Sequence, residues 1–137
     1  MQNVDKEHPW HGDWVSYCSE NAFLDDAVLF QSIKAHFDGQ PWWEWPTRIK
    51  RRDGDALDEI SATLSTQIED GKAIAFIFDR QWDSIRSEAE SRGIHVFGDL
   101  PIYVSHDSAD VWANQAYFAV DENGAAQWVA GVPPDLF

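Results

Sequence analysis

Three carboxylates, Asp99, Asp107 and Asp110, lie in the segment 98–114, directly after the apolar run 93–97. Two carboxyl groups about 5 Å apart can cleave and re-form an acetal bond with retained configuration, one as nucleophile and one as general acid. The same residue types also cap helices and accept hydrogen bonds from loop backbone. Asp99 is therefore either a site residue at a strand end or a carboxylate that binds nearby N–H groups.

The adjacent residues Ser105, His106 and Asp107 have the types of a catalytic triad but not its geometry. Neighbouring side chains point to different sides of the chain, whereas a triad needs three groups that converge in space. His8 and His11 have no further Cys or His at ligand spacing, so no metal site is predicted. The sequence has no P-loop and no G-x-G-x-x-G motif, which argues against nucleotide chemistry.

The charge balance narrows the class of partner. With 24 acidic and 10 basic side chains, the formal net charge is −14, which would repel nucleic acid and anionic membranes. The basic residues within 48–52 are the local exception, and we interpret them as a solvated helix face rather than a phosphate site. Aromatic residues make up 14% of the chain, including eight Trp. Because aromatic rings stack on the C–H faces of sugars, a sugar is the favoured ligand class.

The length of 137 residues and the hydrophobic content of 44% suit one domain with a core. The single Cys18 cannot form an intrachain disulfide and is interpreted as a packed thiol in a reducing compartment. Residues 1–9 are polar and do not resemble a signal peptide, and no apolar run approaches the ~20 residues of a membrane span. These features predict a soluble, cytoplasmic protein.

The first half of the chain carries a helical pattern. Apolar residues recur at intervals of three and four over 23–37 and predict an amphipathic helix that ends at Gly39 and Pro41. The stretch from Pro41 to Pro46 is predicted to be a rigid connector, because proline excludes helix on its N-terminal side. It holds Trp42, Trp43 and Trp45. Their rings either fill gaps between helices, or one of them forms a ligand platform.

A second helix is predicted from Asp55, its N-cap, to Arg92, since apolar residues keep the helical spacing throughout. Gly71 is predicted to mark a bend in this helix rather than its end. The following apolar run resembles a parallel strand covered on both faces, which predicts a strand near 94–99. Asp99 would then lie at the carboxyl end of the strand, where βα folds place their active sites.

In the region 107–129, the sequence predicts a capped helix followed by a hairpin. Asp107 is the predicted N-cap of a short helix through Trp112, with Asp110 in its acidic first turn. An Asn-Gly turn within 121–124 joins two short runs of alternating residues, which predicts a β-hairpin near 117–129.

Four blocks of the sequence are distinctive in their order and spacing: "YCSENAFLDDAVLFQSIKAHFDGQPWWEWP" (17–46), "FDRQW" (78–82), "GDLPIYVSHDSADVWAN" (98–114) and "VAGVPPDLF" (129–137). Together they resemble the 4-alpha-glucanotransferases known as amylomaltases or disproportionating enzymes, glycoside hydrolase family 77. The likeness covers about residues 17–137, and the first block resembles a helical insert in the family.

The resemblance implies an α/β fold, with this chain as part of a (β/α)8 TIM barrel. Residues 1–14 lack periodicity and are predicted to be an irregular lead-in. The resemblance implies a mainly helical insert over about 15–92 and a partial barrel segment over 93–137, truncated at its C-terminus. The parent enzyme would cleave an α-1,4-glucan, hold the donor sugar as a covalent β-glucosyl ester, and pass it to the 4-hydroxyl of an acceptor glucan. The implied partners are glucans derived from maltodextrin, starch or glycogen, and no metal or organic cofactor is implied.

The motif match also implies site residues. Asp99 falls on the family's aspartate at a barrel strand end, which helps to hold the donor sugar. Leu136 and Phe137 fall on a mobile loop that covers bound glucan, and the family usually has Tyr in place of Leu136. The family's catalytic carboxylates would come after Phe137, so no catalytic residue is predicted in this chain. A non-catalytic glucan-binding or interaction module derived from the family is the alternative function, and the oligomeric state stays open.

Overall fold

The computed structural model describes residues 8–128 and residue 131. Over this part of the chain the fold is helical, with two 3-10 helices, Trp42–Glu44 and Gln115–Tyr117, and no strand. The α-helices are α1 (His11–Glu20), α2 (Phe23–His36), α3 (Thr47–Lys50), α4 (Gly54–Thr63), α5 (Ser65–Ser91) and α6 (Ala109–Ala113).

Helix α2 lies at the centre of the fold, because it contacts both α5 and α6. Its buried residues Phe30 and Ile33 belong to a core cluster. The cluster also contains residues of α3, α4, α6 and the segment 41–46, which we call the Trp connector. Gly39, with φ of +81°, follows the end of α2, and its N–H donates to the Lys34 carbonyl at 2.8 Å. Glycine adopts this left-handed conformation without steric cost, so the predicted end of the helix is confirmed.

The Trp connector is part of the core. Trp42 is 0% exposed and Trp45 is 2% exposed. The Trp45 indole Nε1 donates to the Gln40 carbonyl at 3.0 Å, so its polar edge is satisfied in the interior. For these two residues, the interpretation that the rings fill gaps between helices is confirmed.

The single helix predicted from Asp55 to Arg92 is instead two helices, α4 and α5. The break falls at Leu64, whereas Gly71 lies inside α5. Leu64 is 3% exposed and belongs to the core cluster, so the chain turns there to bury it. At Gly71 the helix continues, because the missing side chain leaves room for Val28 of α2.

Two predicted N-caps are each displaced from the observed one. Asp53, not Asp55, caps α4: its side chain accepts a hydrogen bond from the Ala56 N–H at 3.1 Å. Ser108, not Asp107, caps α6 and accepts from the Val111 N–H at 3.3 Å. Asp53 and Ser108 have the extended backbone that an N-cap requires.

The predicted strand near 94–99 does not form in this structure. Residues 94–105 have neither helix nor strand geometry, apart from bends, and all of them are exposed. A strand needs a neighbour to receive its N–H and C=O groups, and the described residues supply none beside this run. The prediction of a strand near 94–99 is therefore wrong for this structure.

The predicted hairpin near 117–129 is reduced to a turn and one isolated antiparallel bridge, between Val120 and Ala126. The turn is held by the Asp121 carboxylate, which accepts from the N–H groups of Asn123 and Ala125 at 2.8 and 2.9 Å. Residue 129 lies outside the described part of the chain. Two strands do not extend from this turn, because its ends find no neighbouring sheet among the described residues.

Helix α1 begins at His11, inside the predicted irregular lead-in and four residues before the predicted helical insert. It packs on α5 through aromatic contacts: the rings of Trp14 and Tyr17 lie 5.5 and 5.4 Å from the ring of Phe76. Phe76 is 5% exposed, so these contacts bury a second, smaller apolar cluster.

Candidate functional site

Asp99 lies in the exposed run 94–105, which we call the Asp99 segment. One of its carboxylate oxygens, Oδ1, accepts a hydrogen bond from the Leu100 N–H at 3.0 Å. Aromatic and aliphatic side chains around it face solvent, including Phe97, which is 100% exposed, and Tyr103, which is 70% exposed. The segment thus presents one carboxylate and several apolar side chains on an open surface.

The Asp99 segment joins the packed fold at His106. The His106 ring stacks on the Trp43 ring with 4.1 Å between centroids and 4° between planes. Its Nε2–H donates to the Gly124 carbonyl at 2.8 Å, and the Trp42 Nε1–H donates to the His106 carbonyl at 2.7 Å. We call these four residues, His106, Trp42, Trp43 and Gly124, the His106 anchor.

Within the His106 anchor, Gly124 packs closely against the Trp42 ring. Gly124 has φ of +81°, and a Cβ added there would lie 2.6 Å from the Trp42 ring, so only glycine fits. A cleft of about 280 Å³ opens beside His106. It is lined by Val104 from the Asp99 segment and by Trp128, which is 82% exposed. An open aromatic face beside a carboxylate-bearing segment is the kind of surface on which a sugar can stack.

Asp107 forms an ion pair with Lys34 of α2. Both side chains are about three-quarters buried, at 28% and 25% exposure. The adjacent His106 and Asp107 thus bind different partners, as expected for neighbours in the chain, and they do not converge as a triad would.

The basic residues within 48–52 make contacts within the chain, and two of them, Arg48 and Arg51, are exposed. Each binds an oxygen of this chain: Arg48 to Asp53, Lys50 to the Trp43 carbonyl, Arg51 to the Glu122 carbonyl and Arg52 to Asp26. Arg52 also lies over the Trp112 ring, with its Cζ 4.3 Å from the ring centroid. These contacts join the basic residues to other parts of the chain, so they give no reason to infer a phosphate site.

Asp53 and Cys18 are among the titratable groups whose pKa is shifted from its ordinary value. The Ala56 N–H and the Arg48 guanidinium both favour the charged carboxylate and hold the pKa of Asp53 below its ordinary value of 3.8. Burial raises the pKa of the Cys18 thiol, an effect opposed by Lys72 and reinforced by Asp25. A thiol kept protonated suits a packed residue and not a nucleophile.

Leu136 and Phe137, the other predicted site residues, lie outside the described residues. Within 8–128 and residue 131, no group of three or more His, Cys, Asp and Glu side chains could hold a metal ion. In the same part of the chain, no helix combines the length and apolar character that a membrane crossing requires.

His106 is the residue of this region that sequence reasoning missed. It was set aside with the failed triad, although its neighbourhood in sequence contains the Asp99 block. The residues that contact His106 lie far from it in sequence, in the Trp connector and in the Asn-Gly turn. Only the fold brings them next to His106.

The sequence profile of one family, described as 4-alpha-glucanotransferase of glycoside hydrolase family 77, matches residues 2–137. The chain is 45% identical over 117 residues to the chloroplastic/amyloplastic 4-alpha-glucanotransferase of Oryza sativa subsp. japonica, covering 85% of this chain and 20% of that relative. It is 41% identical over 115 residues to the 4-alpha-glucanotransferase of Thermus thermophilus, covering 84% of this chain and 23% of that relative.

A solved structure is also similar: the amylomaltase of Streptococcus agalactiae in complex with acarbose, with a TM-score of 0.91 and 33% identity. That match covers 96% of this chain and 27% of the amylomaltase chain. The chain therefore spans between 20% and 27% of the length of these three proteins. The family match extends over nearly the whole chain, and the resemblance seen in the sequence is confirmed. The chain belongs to the 4-alpha-glucanotransferase family.

Proposed function

We propose that this chain is part of a 4-alpha-glucanotransferase, a glycosyltransferase that moves α-1,4-glucan segments to the 4-hydroxyl of an acceptor glucan. In a retaining reaction, a carboxylate attacks the anomeric carbon while an acid protonates the departing 4-oxygen. The acceptor hydroxyl then displaces the carboxylate and gives its proton to the same acid/base group. We place no catalytic residue in this chain.

The observation that carries the proposal is the family match over residues 2–137, together with relatives that are named for this activity. The amylomaltase structure that this chain resembles contains acarbose, which favours a glucan as the ligand class here too. The alternative, a non-catalytic glucan-binding module, has no such named relative among these proteins and is not favoured.

We propose that Asp99, Leu136 and Phe137 contact the glucan. For Asp99, the motif match is supported by its open position in the segment, where a donor sugar could reach the carboxylate. For Leu136 and Phe137, the support is the motif match alone.

We also propose that residues 93–137 belong to a (β/α)8 barrel and that 94–99 becomes one of its strands beside neighbours supplied by the rest of the protein. The support is an uncovered apolar surface. Phe97, Leu100 and Ile102 are at least 84% exposed. One face of α5 is exposed as well, at Ile74, Phe78, Trp82 and Ile85. Large exposed apolar patches of this kind mark surfaces that another part of a protein covers.

We propose the cytoplasm as the compartment, on the grounds of composition and the single cysteine. The rice relative carries a chloroplastic/amyloplastic name. Fractionation of the source cells, followed by detection of the whole protein, is the direct test.

The activity is tested by incubating the whole protein with maltotriose and separating the products by chromatography. We expect glucose together with longer maltodextrins, because transfer of a maltosyl unit releases glucose. In the same assay, Asp99→Asn is expected to lower kcat and kcat/KM by about 10²-fold, since the lost contact strengthens in the transition state.

Asp110→Asn is the matched control, because Asp110 is an exposed aspartate in the first turn of α6. It should lose only a helix-dipole interaction worth some tenths of a kcal/mol, with no change in rate. Absence of products from the unsubstituted whole protein would contradict the proposed activity. Equal rates for the Asp99→Asn and Asp110→Asn variants would contradict the role of Asp99 and leave the proposed activity standing.

A further inference from the structure

The chain changes from open to packed at a single residue after Asp99. All residues of the Asp99 segment, 94–105, are exposed, whereas those from His106 to Ala109 are half-buried. Val111 and Trp112, at 2% and 0% exposure, then lie in the core. His106 lies seven residues after Asp99 and is the first packed residue beyond the Asp99 segment. The position of His106 therefore fixes the C-terminal end of that segment.

Three contacts on different parts of His106 constrain the residue, and the Trp42 ring also lies edge-on to the His106 ring with 5.6 Å between centroids. Trp43 covers the face of the ring, the Gly124 carbonyl binds its edge at Nε2, and Trp42 binds its main-chain carbonyl. Because ring plane, ring rotation and backbone are each constrained, the residue is fixed in orientation as well as in position. The contacts also come from two separate parts of the chain, the connector at 42–43 and the turn at 124.

We propose that His106 is a positioning residue of the glucan site, which acts by setting the place of Asp99. This inference rests on the proposed function, because it assumes that Asp99 holds the donor sugar. The Trp42 and Trp43 rings belong to the helical part of the chain, so the helical part contributes to the site by clamping the segment that carries Asp99. His106 itself is engaged within the protein on its ring face and at Nε2 and is not assigned a contact with the glucan.

The expected consequence is kinetic. A displacement of about 1 Å at a group that orients substrate can lower the rate by about 10²-fold, even when the substituted residue lies far from the reacting atoms. A residue that only stabilises the fold would change thermal stability without this selective loss.

The first test is a matched pair of substitutions in the whole protein, Trp42→Phe and Trp45→Phe. Each removes one buried indole N–H from a nearly inaccessible Trp of the same connector, with 0% and 2% exposure. Trp42 loses its bond to His106, whereas Trp45 loses a bond to Gln40, outside the anchor. On maltotriose, Trp42→Phe is expected to lower kcat/KM by about 10-fold or more, and Trp45→Phe by about 2-fold or less.

The second test is a double-mutant cycle between His106 and Asp99. His106→Phe keeps an aromatic ring beside Trp43 but removes the Nε2 donor to Gly124, and we expect a loss of about 10-fold in kcat/KM. If His106 acts through Asp99, the same substitution in an Asp99→Asn background should change kcat/KM by less than about 2-fold. This variant also keeps the proposal testable if Trp42→Phe does not fold.

The outcomes separate the two proposals. Equal losses from Trp42→Phe and Trp45→Phe, or additive effects of His106→Phe and Asp99→Asn, in an active whole protein would overturn the role of His106 and leave the proposed function standing. A whole protein that forms no glucose or longer maltodextrins from maltotriose would overturn both.

Discussion

At the scale of single residues, the aspartates of this chain divide by their partners. Asp26, Asp53 and Asp107 each bind a cationic side chain that lies elsewhere in the fold or across a turn. Asp99 instead binds only the adjacent Leu100 N–H among the hydrogen bonds described for it, and it lies on an open segment. A carboxylate that the fold has not enclosed is available to a ligand, which is one physical reason for proposing Asp99 as a glucan-site residue.

Asp53 permits a prediction about pH. Its folded pKa lies below 3.8, so its ionised form stabilises the fold at pH values above 3.8, and this contribution is lost as the pH falls through the lower folded value. Asp53→Asn keeps an N-cap acceptor but cannot ionise. Thermal unfolding of both proteins should show the unsubstituted chain more stable at neutral pH, with the difference shrinking below pH 3.8. A difference that stays constant or grows toward acid would contradict the assignment.

The caps show what sequence reasoning can and cannot decide for a residue. It correctly located a polar cap near the start of α4 and of α6, but it chose Asp55 over Asp53 and Asp107 over Ser108. Each pair contains two residues able to cap, so residue type alone does not separate them. The choice depends on which residue takes the extended backbone conformation, and that follows from how the helix is docked on the core.

At the scale of elements, helices and strands differ in where their backbone hydrogen bonds are made: within the segment for a helix, and to other segments for a strand. Helix α2 was predicted over 23–37 and observed as Phe23–His36, because its hydrogen bonds and its apolar periodicity lie within the segment. The strand near 94–99 was predicted with equal reason, yet its hydrogen bonds would have to be made with other segments. Local pattern therefore placed the helix, and it could not place the strand.

Gly71 yields a prediction for the contact between α2 and α5. A Cβ added at Gly71 would lie 2.6 Å from Val28 Cγ1, so Gly71→Ala should lower the free energy of unfolding by ~1–3 kcal/mol despite the higher helix propensity of alanine. Gly12 in α1 is the control, because a Cβ there meets nothing within 4 Å. Gly12→Ala should not lower the free energy of unfolding, because alanine favours a helix more than glycine does. Urea unfolding followed by far-ultraviolet circular dichroism measures both, and equal effects of the two substitutions would refute the close-contact explanation.

At the scale of the whole molecule, the chain combines a closed core with exposed apolar surface. The core joins α2, the Trp connector, α4 and α6 around Trp42 and Trp112, both 0% exposed. The open surface consists of the apolar face of α5 and the Asp99 segment. Since the chain spans 20% and 23% of the rice and Thermus relatives, we assign the open surface to contacts with the rest of the protein.

This division leads to a prediction for hydrogen exchange. In the 137-residue polypeptide, amides of 94–104 should exchange rapidly, because these residues are exposed and lie outside helices and strands. Amides of 74–90, inside α5, should be protected by intrahelical hydrogen bonds. In the whole protein, 94–104 should become protected as neighbouring strands receive its N–H groups. Sedimentation establishes that the polypeptide is a monomer during the measurement, and protection of 94–104 equal to that of 74–90 in such a monomer would contradict the need for outside partners.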